Sequence, residues 1–270
     1  MLRRVMAWGV AALAALATPA VADQCRPVVE RSPIERLIWR ASLEPDTVRL
    51  TFTGHATFFI ESPKGVTIAT DYNDYVRPAE VPRIATMNRA HSTHFTMNPD
   101  PRIEHVLRGW ANQPGAQAMH DIFVEDVRVR NVSTDLRTFG AEFGAFGNSI
   151  FIFEISGLCI AHLGHLHHRL EKVHFRELGA VDIVLVPVDG GYTMSLEGML
   201  NVIEAMRPMV VIPMHWFSRS RLEQFLTMAG TRYPVERSDG STVTFSRATL
   251  PRETTVLALP EQKSRSLGLD

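Results

Sequence analysis

Hydrophobic and polar positions along the chain predict a strand-rich first half. Strand-like apolar runs cover residues 48–53, 57–61 and 66–70, and Gly54 and the turn Pro63-Lys64-Gly65 separate them. Asp100-Pro101 is typical of a helix start, and it predicts a helix over 102–110. A second series of strands is predicted over 122–132, 149–155 and 158–162.

Helices and strands alternate in the second half. Helices are predicted over 168–178, 196–206 and 219–229, and strands over 182–188 and 209–213, with short strands near Val235 and Val243. Strands that meander first and then alternate with helices fit two sheets sandwiched between helices, which is an α/β architecture. We therefore predict one domain over 47–260. It follows a lead-in over 23–46, with a short helix near 34–42, and precedes a flexible polar tail over 261–270.

The first 22 residues have the pattern of an export signal. Arg3 and Arg4 supply positive charge, residues 5–17 are apolar, and the segment ends in Ala20-Val21-Ala22. This order is typical of a Sec-type signal peptide that is cleaved after Ala22. The alternative is an uncleaved anchor, but the apolar run is shorter than the roughly 20 residues that a membrane span needs. We expect a periplasmic or secreted protein that has no membrane span after cleavage.

Composition and charge narrow the function classes. The chain of 270 residues is 45% hydrophobic and 21% charged, which is typical of a globular protein. Its net charge of -1 argues against a nucleic-acid partner and against a polybasic membrane anchor. The two cysteines, Cys25 and Cys159, have no CxxC spacing, which excludes a thiolate zinc site. They could pair in an oxidising compartment or remain two thiols, and the apolar run around Cys159 favours the thiols.

Eleven histidines are the more informative feature. Histidine is the commonest metal ligand, and open α/β sheets bind their ligands at strand ends. Any single histidine is more often a surface or core residue, but here four strand-end segments carry them together. The segments are Gly54-His55-Ala56-Thr57 with Asp71 nearby, Arg89-Ala90-His91-Ser92-Thr93-His94, His162-Leu163-Gly164-His165-Leu166-His167-His168, and Pro213-Met214-His215.

Spacing suggests different roles for these histidines. His91 and His94 are spaced so that a tight turn can aim both imidazoles the same way. With one or two distant histidines they would form a three- or four-ligand site that keeps a position open for water. In the third segment we assign His165 as a ligand and His162 as a buried residue that orients it. His55 is predicted to hydrogen-bond a ligand rather than to bind the metal itself.

The remaining histidines receive weaker assignments. His167 and His168 lead into a predicted helix and are interpreted as rim or cap residues. His105, His120 and His174 have no motif around them and are predicted to lie on the surface.

These segments, in this order, resemble the metallo-β-lactamase superfamily. Within it they are most similar to the lactonase-like branch of L-ascorbate-6-phosphate lactonase-type metal-dependent hydrolases, over about 48–220. The resemblance implies a metallo-β-lactamase-like four-layer αββα sandwich. It also implies supporting roles for Asp71 and for Asp189, which lies in the segment Val186-Pro187-Val188-Asp189-Gly190.

The sequence departs from the superfamily signature His-x-His-x-Asp-His. Arg89 stands at its first histidine and Thr93 at its aspartate, while His165 replaces a bridging aspartate. A further family histidine is missing near Asp135. One family metal position would thus keep only His91, and the Arg89 guanidinium would repel a cation there.

The other family position keeps His94, His165 and His215. The resemblance therefore implies one ion on these three imidazoles, zinc or alternatively manganese, with His91 as a further donor. Three histidines plus water is a known catalytic zinc arrangement.

The resulting prediction is hydrolysis of a lactone, ester, amide or phosphodiester bond in a small molecule by metal-activated water. Arg89 would stabilise an oxyanion or hold an anionic substrate, and His91 or Asp135 would carry protons. Two alternatives stay open. The first is a catalytically inactive binding protein, and the second is a periplasmic metal-binding protein that uses the histidines of 162–168. The oligomeric state is not predicted.

Overall fold

The computed structural model describes residues 47–113, 115–136 and 144–262. The described chain forms strands and helices in this order: β1 (Val48–Gly54), β2 (Thr57–Glu61), β3 (Thr67–Ala69), β4 (Ile84–Met87), β5 (His105–Arg108), β6 (Asp121–Val124), β7 (Val127–Thr134), β8 (Asn148–Ile155), β9 (Leu158–His162), α1 (Lys172–Leu178), β10 (Ile183–Pro187), α2 (Leu196–Met206), β11 (Val210–Met214), α3 (Arg219–Ala229), β12 (Val235–Arg237), β13 (Thr242–Phe245), a 3₁₀ turn (Arg247–Thr249) and β14 (Thr255–Ala258).

The strands form two mixed sheets. One has six strands in the order β13-β1-β2-β3-β4-β5, and the other has eight in the order β12-β14-β11-β10-β9-β8-β7-β6. Strands β9, β10, β11 and β14 run parallel, as do β3, β4 and β5. Parallel neighbours place the carboxyl ends of successive strands at one edge, so side chains that follow these strands are brought together.

Two apolar layers hold the sheets in place. Between the sheets, a buried cluster joins Phe52 and Phe58 of one sheet to Phe151 and Phe153 of the other. On the outer face of the eight-stranded sheet, a second cluster packs all three described helices onto the strands. The predicted α/β class and the metallo-β-lactamase-like sandwich are confirmed. Among the described residues, the other sheet is covered on its outside by a small cluster that includes Tyr72, Met87 and Ile103.

Local sequence explains the two longer helices. Ser195 and Ser218 each accept a hydrogen bond from a backbone N–H one turn further on, which caps the starts of α2 and α3. Helix α2 buries six apolar side chains: Leu196, Met199, Leu200, Val202, Ile203 and Met206. Both helices have the bounds that the hydrophobic pattern predicted. No helix in the described ranges is long and apolar enough to cross a bilayer.

One predicted helix is wrong. Residues 102–110 contain β5, whose backbone pairs in parallel with β4. The Asp100 carboxylate does accept the backbone N–H of Arg102, but this closes a single turn and not a helix. Pairing beside a buried strand outweighs the local start signal, which is a weak determinant of structure. Strands β4 and β14 were not predicted from the sequence.

The strand predicted over 122–132 is a hairpin of β6 and β7. Glu125 takes a left-handed backbone conformation, with φ of 53°, at the turn between them. The sequence has no glycine at this turn, so the usual signal for it is absent.

The predicted signal peptide, the predicted lead-in with its short helix and most of the predicted tail lie outside the described residues. The first two tail residues are bound: the Gln262 N–H donates to the Phe52 carbonyl, and the Glu261 carboxylate accepts the His55 N–H. Cys159 is disulfide-bonded, so our preference for an unpaired thiol there is wrong. Cys25, the only other cysteine of the chain, lies outside the described residues.

Candidate metal centre

Five histidines from four strand ends meet at one edge of the two sheets. His55 lies in the β1–β2 turn, His91 and His94 follow β4, His165 follows β9, and His215 follows β11. One ligand atom from each of His55, His91, His94 and His215 lies within 4.8 Å of the others. The His165 ring centre is 5.0, 5.1 and 5.2 Å from those of His91, His94 and His215. The predicted convergence of distant segments is thus present.

The centre of the cluster is the pair His94 and His215. Their Nε2 atoms lie 2.9 Å apart, and both side chains are fully buried. The ring planes are nearly parallel, with centroids 4.9 Å apart. The backbone helps to fix this pair, because the His215 N–H donates to the His55 carbonyl at 2.6 Å across the two sheets.

A buried carboxylate orients each of these two imidazoles. Asp71 Oδ2 lies 2.5 Å from His94 Nδ1, and Asp189 Oδ2 lies 3.0 Å from His215 Nδ1. Asp71 is itself held by the Asn88 amide, and Asp189 by the backbone N–H groups of 191–193 and the Thr193 hydroxyl. A carboxylate on Nδ1 keeps the proton there and leaves Nε2 with a free lone pair, as in metal-binding histidines.

His165 is the unusual member of the cluster. It is buried, and neither of its ring nitrogens has a hydrogen-bond partner among the described residues. A buried polar atom without a partner costs free energy, so such atoms in a native protein point to an absent ion or water. Its backbone N–H is held by the Asn148 side chain, which fixes the position of the residue.

A glycine makes this position possible. At Gly164 the backbone has φ of +58°, and an added Cβ would lie 2.4 Å from side-chain atoms of Asn88 and Asn148. Only glycine tolerates both the conformation and the close approach. The sequence Gly164-His165 is therefore needed to bring this imidazole to the cluster.

Thr93 links the two half-buried histidines. Its hydroxyl lies 2.8 Å from His91 Nδ1 and 2.9 Å from His55 Nε2. A hydroxyl has one proton to donate, so at least one of these two nitrogens must be the donor. If His91 presents Nε2 to a metal, its Nδ1–H donates to Thr93 and the Thr93 hydroxyl donates to His55. In that arrangement the proton of His55 is on Nδ1.

The backbone is strained at three of the site positions. His55, Asp71 and His215 have φ values of 52°, 43° and 55°, in a region that residues other than glycine rarely adopt. Each is the residue at or just beyond a strand end that turns its side chain into the cluster. Such strain persists where the surrounding structure enforces it, and it concentrates at functional sites.

The environment favours the neutral form of four imidazoles of the cluster. Burial, followed by repulsion from neighbouring imidazolium charge, lowers the pKa of His55 and of His165 to about 3. The same causes place the pKa of His94 well below its ordinary value and lower that of His91. Burial raises the pKa of Asp71. At Asp189, burial is outweighed by the hydrogen bonds from His215, Thr193 and Gly191, and the pKa is lowered. Neutral imidazole is the form that binds metal ions.

These residues fit a transition-metal ion. The Nε2 atoms of His94 and His215 face each other at 2.9 Å, and the nitrogens of His165 lack partners in the described structure. Imidazole nitrogen suits zinc, copper, iron or nickel, so the donor set does not select one of them. The predicted set of His94, His165 and His215, with His91 as a further donor, would hold the ion. The nitrogens that lie within 4.8 Å of one another belong instead to His55, His91, His94 and His215. The assignment of these ligands stays a prediction.

Three predicted site residues have no hydrogen bond to the five clustered histidines among the described contacts. Arg89 is exposed, and no ion pair joins it to another described residue, so its role beside a metal position stays a prediction. Asp135 is exposed, and its carboxylate accepts the Phe146 N–H. His162 is buried, as predicted, but its ring accepts the Gly164 N–H and bonds the Ala56 carbonyl, so it ties the loops that carry His55 and His165.

Sequence reasoning missed the asparagines. Asn88 bonds Asp71 and the Ser149 N–H, and Asn148 bonds the His165 N–H. Both are fully buried amides beside histidine segments. The one available signal was a polar residue at the end of an otherwise apolar strand, which is weak without the fold.

Comparison with known proteins supports one family. The family model of the beta-lactamase superfamily domain matches residues 49–215 of this chain, and these include every histidine of the cluster. A UPF0173 metal-dependent hydrolase of Thermococcus kodakarensis is 26% identical over 199 residues, 63% of this chain and 84% of the relative. One from Thermoplasma acidophilum is 24% identical over 213 residues, 69% of this chain and 92% of the relative.

Solved structures agree with this relationship. A Thermotoga maritima protein, assigned as a Zn-dependent hydrolase of the metallo-beta-lactamase superfamily, superposes with a TM-score of 0.57 and 26% identity. The match covers 79% of this chain and all of that one. The metallo hydrolase Igni18 of Ignicoccus hospitalis shares the fold, with a TM-score of 0.52, 20% identity, and coverage of 74% and 99%. On the family match, the fold and the histidine segments together, the chain belongs to the metallo-β-lactamase superfamily.

Proposed function

We propose that this protein is a metal-dependent hydrolase with one metal ion on His94, His165 and His215. The observation that carries the proposal is the geometry of the three imidazoles. The Nε2 atoms of His94 and His215 face each other, and a carboxylate holds the Nδ1 atom of each ring. His165 is buried, and neither of its ring nitrogens has a partner in the described structure. The relatives described as metal-dependent hydrolases support the same reaction class. We propose zinc as the ion, with manganese as the alternative.

A divalent ion bound there would supply a Lewis acid that activates water and polarises the bond to be cleaved. The protein's own groups prepare the site for that chemistry. Asp71 and Asp189 hold protons on the Nδ1 atoms of His94 and His215, and so fix which nitrogen is available. Burial lowers the pKa of His94 and of His165, which favours their neutral, metal-binding form.

With the ion on His94, His165 and His215 and with His91 unbound, proton transfer is proposed to run through His91, Thr93 and His55. The Thr93 hydroxyl bridges His91 Nδ1 and His55 Nε2, and both imidazoles are half-buried at the open side of the cluster. Hydrogen-bonded imidazole and hydroxyl groups can pass a proton between the reacting atoms and the surface. Arg89 and Asp135 are not needed for this route.

The substrate is proposed to be a small molecule with a lactone, ester, amide or phosphodiester bond. The resemblance to the lactonase-like branch favours a lactone, which is an argument from fold and motif alone. We also propose that residues 1–22 are removed on export. N-terminal sequencing of periplasmic protein should then begin at Asp23, and a soluble form that retains Met1 would exclude this.

A panel of hydrolase substrates tests the reaction class. The protein is stripped with a chelator and reloaded with zinc or manganese, and hydrolysis of a lactone, an aryl ester, an amide and a phosphodiester is followed. We expect turnover of at least one substrate that disappears on stripping and returns on reloading. Tight metal binding without any turnover would instead favour the alternative of a non-catalytic binding protein.

A further inference from the structure

The open side of the histidine cluster carries exposed apolar side chains. Seven large apolar residues are clearly exposed within the described ranges: Tyr75, Met97, Met119, Phe123, Val173, Tyr192 and Phe217. Four of them follow a site residue within four positions, namely Tyr75, Met97, Tyr192 and Phe217. Scattered exposed apolar residues need no explanation, but a group around a site marks a binding surface.

Two of these residues form an aromatic pair beside the metal centre. The rings of Tyr192 and Phe217 meet edge to face with centroids 5.4 Å apart, yet the two residues remain 68% and 59% exposed. The Phe217 ring centre lies 5.3 Å from that of His215 and 5.6 Å from that of His55. The aromatic pair therefore extends from the histidine cluster to the protein surface.

The pair is held in place by the groups that build the site. The Asp189 carboxylate that binds His215 Nδ1 also accepts the Tyr192 N–H at 2.6 Å. Phe217 lies two residues after His215, while Trp216 between them turns inward and packs on Phe52. Exposed aromatic rings that are fixed by the backbone lose little freedom when a ligand covers them, which favours binding.

We infer that Tyr192 and Phe217 bind a planar, apolar group of the substrate, next to the bond that the histidine centre cleaves. This inference rests on the proposed function and narrows the substrate class to molecules with an aromatic or similarly flat apolar group. The rings offer a stacking and edge-to-face surface to such a group, which adds to the gain from removing apolar area from water. Tyr192 and Phe217 act here as specificity-determining residues.

The fluorescent carboxylate 2-naphthylacetate tests the inference by binding alone. Its dissociation constant is measured by fluorescence anisotropy with the full chain, both metal-loaded and chelator-treated. We expect the double variant Tyr192→Ala/Phe217→Ala to bind it about tenfold more weakly than wild type, since an aromatic contact and its burial are together worth about that factor. Tyr192→Phe keeps the ring and should change binding by less than about twofold.

Met119→Ala/Phe123→Ala is the matched control, because it removes two exposed apolar side chains near β6. It should bind the probe as wild type does. The inference is overturned if wild type does not bind the naphthyl group, if the Tyr192/Phe217 variant binds it equally well, or if the control loses as much. Ring-dependent binding without any hydrolysis would overturn the proposed function alone, and hydrolysis without ring-dependent binding would overturn this inference alone.

Discussion

The Nε2 atoms of His94 and His215 lie 2.9 Å apart in the buried centre of the site, while their Nδ1 atoms are held by Asp71 and Asp189. The carboxylates hold the outer nitrogens of the two rings, and the inner nitrogens face each other. This relationship joins the six-stranded sheet, through Asp71 and His94, to the eight-stranded sheet, through Asp189 and His215. It explains why a metal would bind where the two sheets meet.

The unpartnered nitrogens of His165 predict that this residue lowers the stability of the metal-free protein and is needed for metal binding. His165→Leu should make the metal-free protein more stable by about 1–3 kcal/mol, because it removes buried polar atoms that have no partner in the described structure. The same variant should lose the rise in melting temperature that metal gives the wild type. Urea denaturation and thermal melts, with and without zinc, measure both effects.

His162→Leu is the matched control for that variant. Both nitrogens of His162 are bonded, to the Ala56 carbonyl and the Gly164 N–H, so its removal should destabilise the metal-free protein. If His165→Leu is as destabilising as His162→Leu, the interpretation of His165 as a metal ligand without a partner in the metal-free protein is contradicted.

Much of this site follows from sequence, but its details do not. The residues that carry the motifs, His91, His94, His165 and His215, stand at strand ends, and their convergence follows once parallel strands are assumed. The exposure of Arg89 does not follow, since a residue beside a histidine motif can face either way along an irregular loop. The same holds for β5, where pairing with β4 overrides a local helix signal.

The hydrogen bonds to Asp189 predict a specific loss of metal affinity. In Asp189→Asn an amide NH₂ would face donors such as the Thr193 hydroxyl, so the loop and the His215 ring lose their support. Loss of such a partner typically weakens metal binding by about 10–100-fold. Asp126→Asn is the control, because Asp126 accepts similar bonds from Ser62 and Lys64 at the β6–β7 turn. Competition with a chelating dye should show a large effect for the first variant alone.

The buried ring of His162 predicts acid sensitivity. Burial lowers its pKa from 6.5 to about 4. Between these values the unfolded chain takes up a proton that the folded chain does not, so the free energy of unfolding falls as the pH is lowered from 6.5 to 4. The difference amounts to roughly 3 kcal/mol.

His162→Gln should reduce the pH dependence of wild type by this contribution of roughly 3 kcal/mol, since the amide can keep both hydrogen bonds without titrating. Urea denaturation of the metal-free protein at pH 7 and pH 4 measures it, with His105→Gln as the control. Equal pH dependence in wild type and His162→Gln would show that His162 is protonated in the folded state at much higher pH.

The exposure of Arg89 predicts that its guanidinium does not take the place of a second metal ion. Its side chain is exposed and lines a surface cavity of about 420 Å³ with Phe95, Met97 and Trp110. Exposed charges are screened and contribute little. Arg89→His should therefore leave the number of bound metal ions unchanged, whereas a guanidinium that repels a cation from the other family position would, once replaced by histidine, let a second ion bind. Zinc titration of Arg89→His beside wild type decides this, and a second bound ion would restore the earlier interpretation.

The most direct test of the central claim is the metal content of the purified protein with and without His215. Plasma mass spectrometry of wild type should find about one tightly held ion per chain. His215→Ala should lose it and yet keep the native circular dichroism, because the imidazole lies at a strand tip and its removal leaves a polar pocket and not a core cavity. His105→Ala should keep the ion. An unchanged metal content in folded His215→Ala, or a wild type that binds no transition metal, would contradict the account.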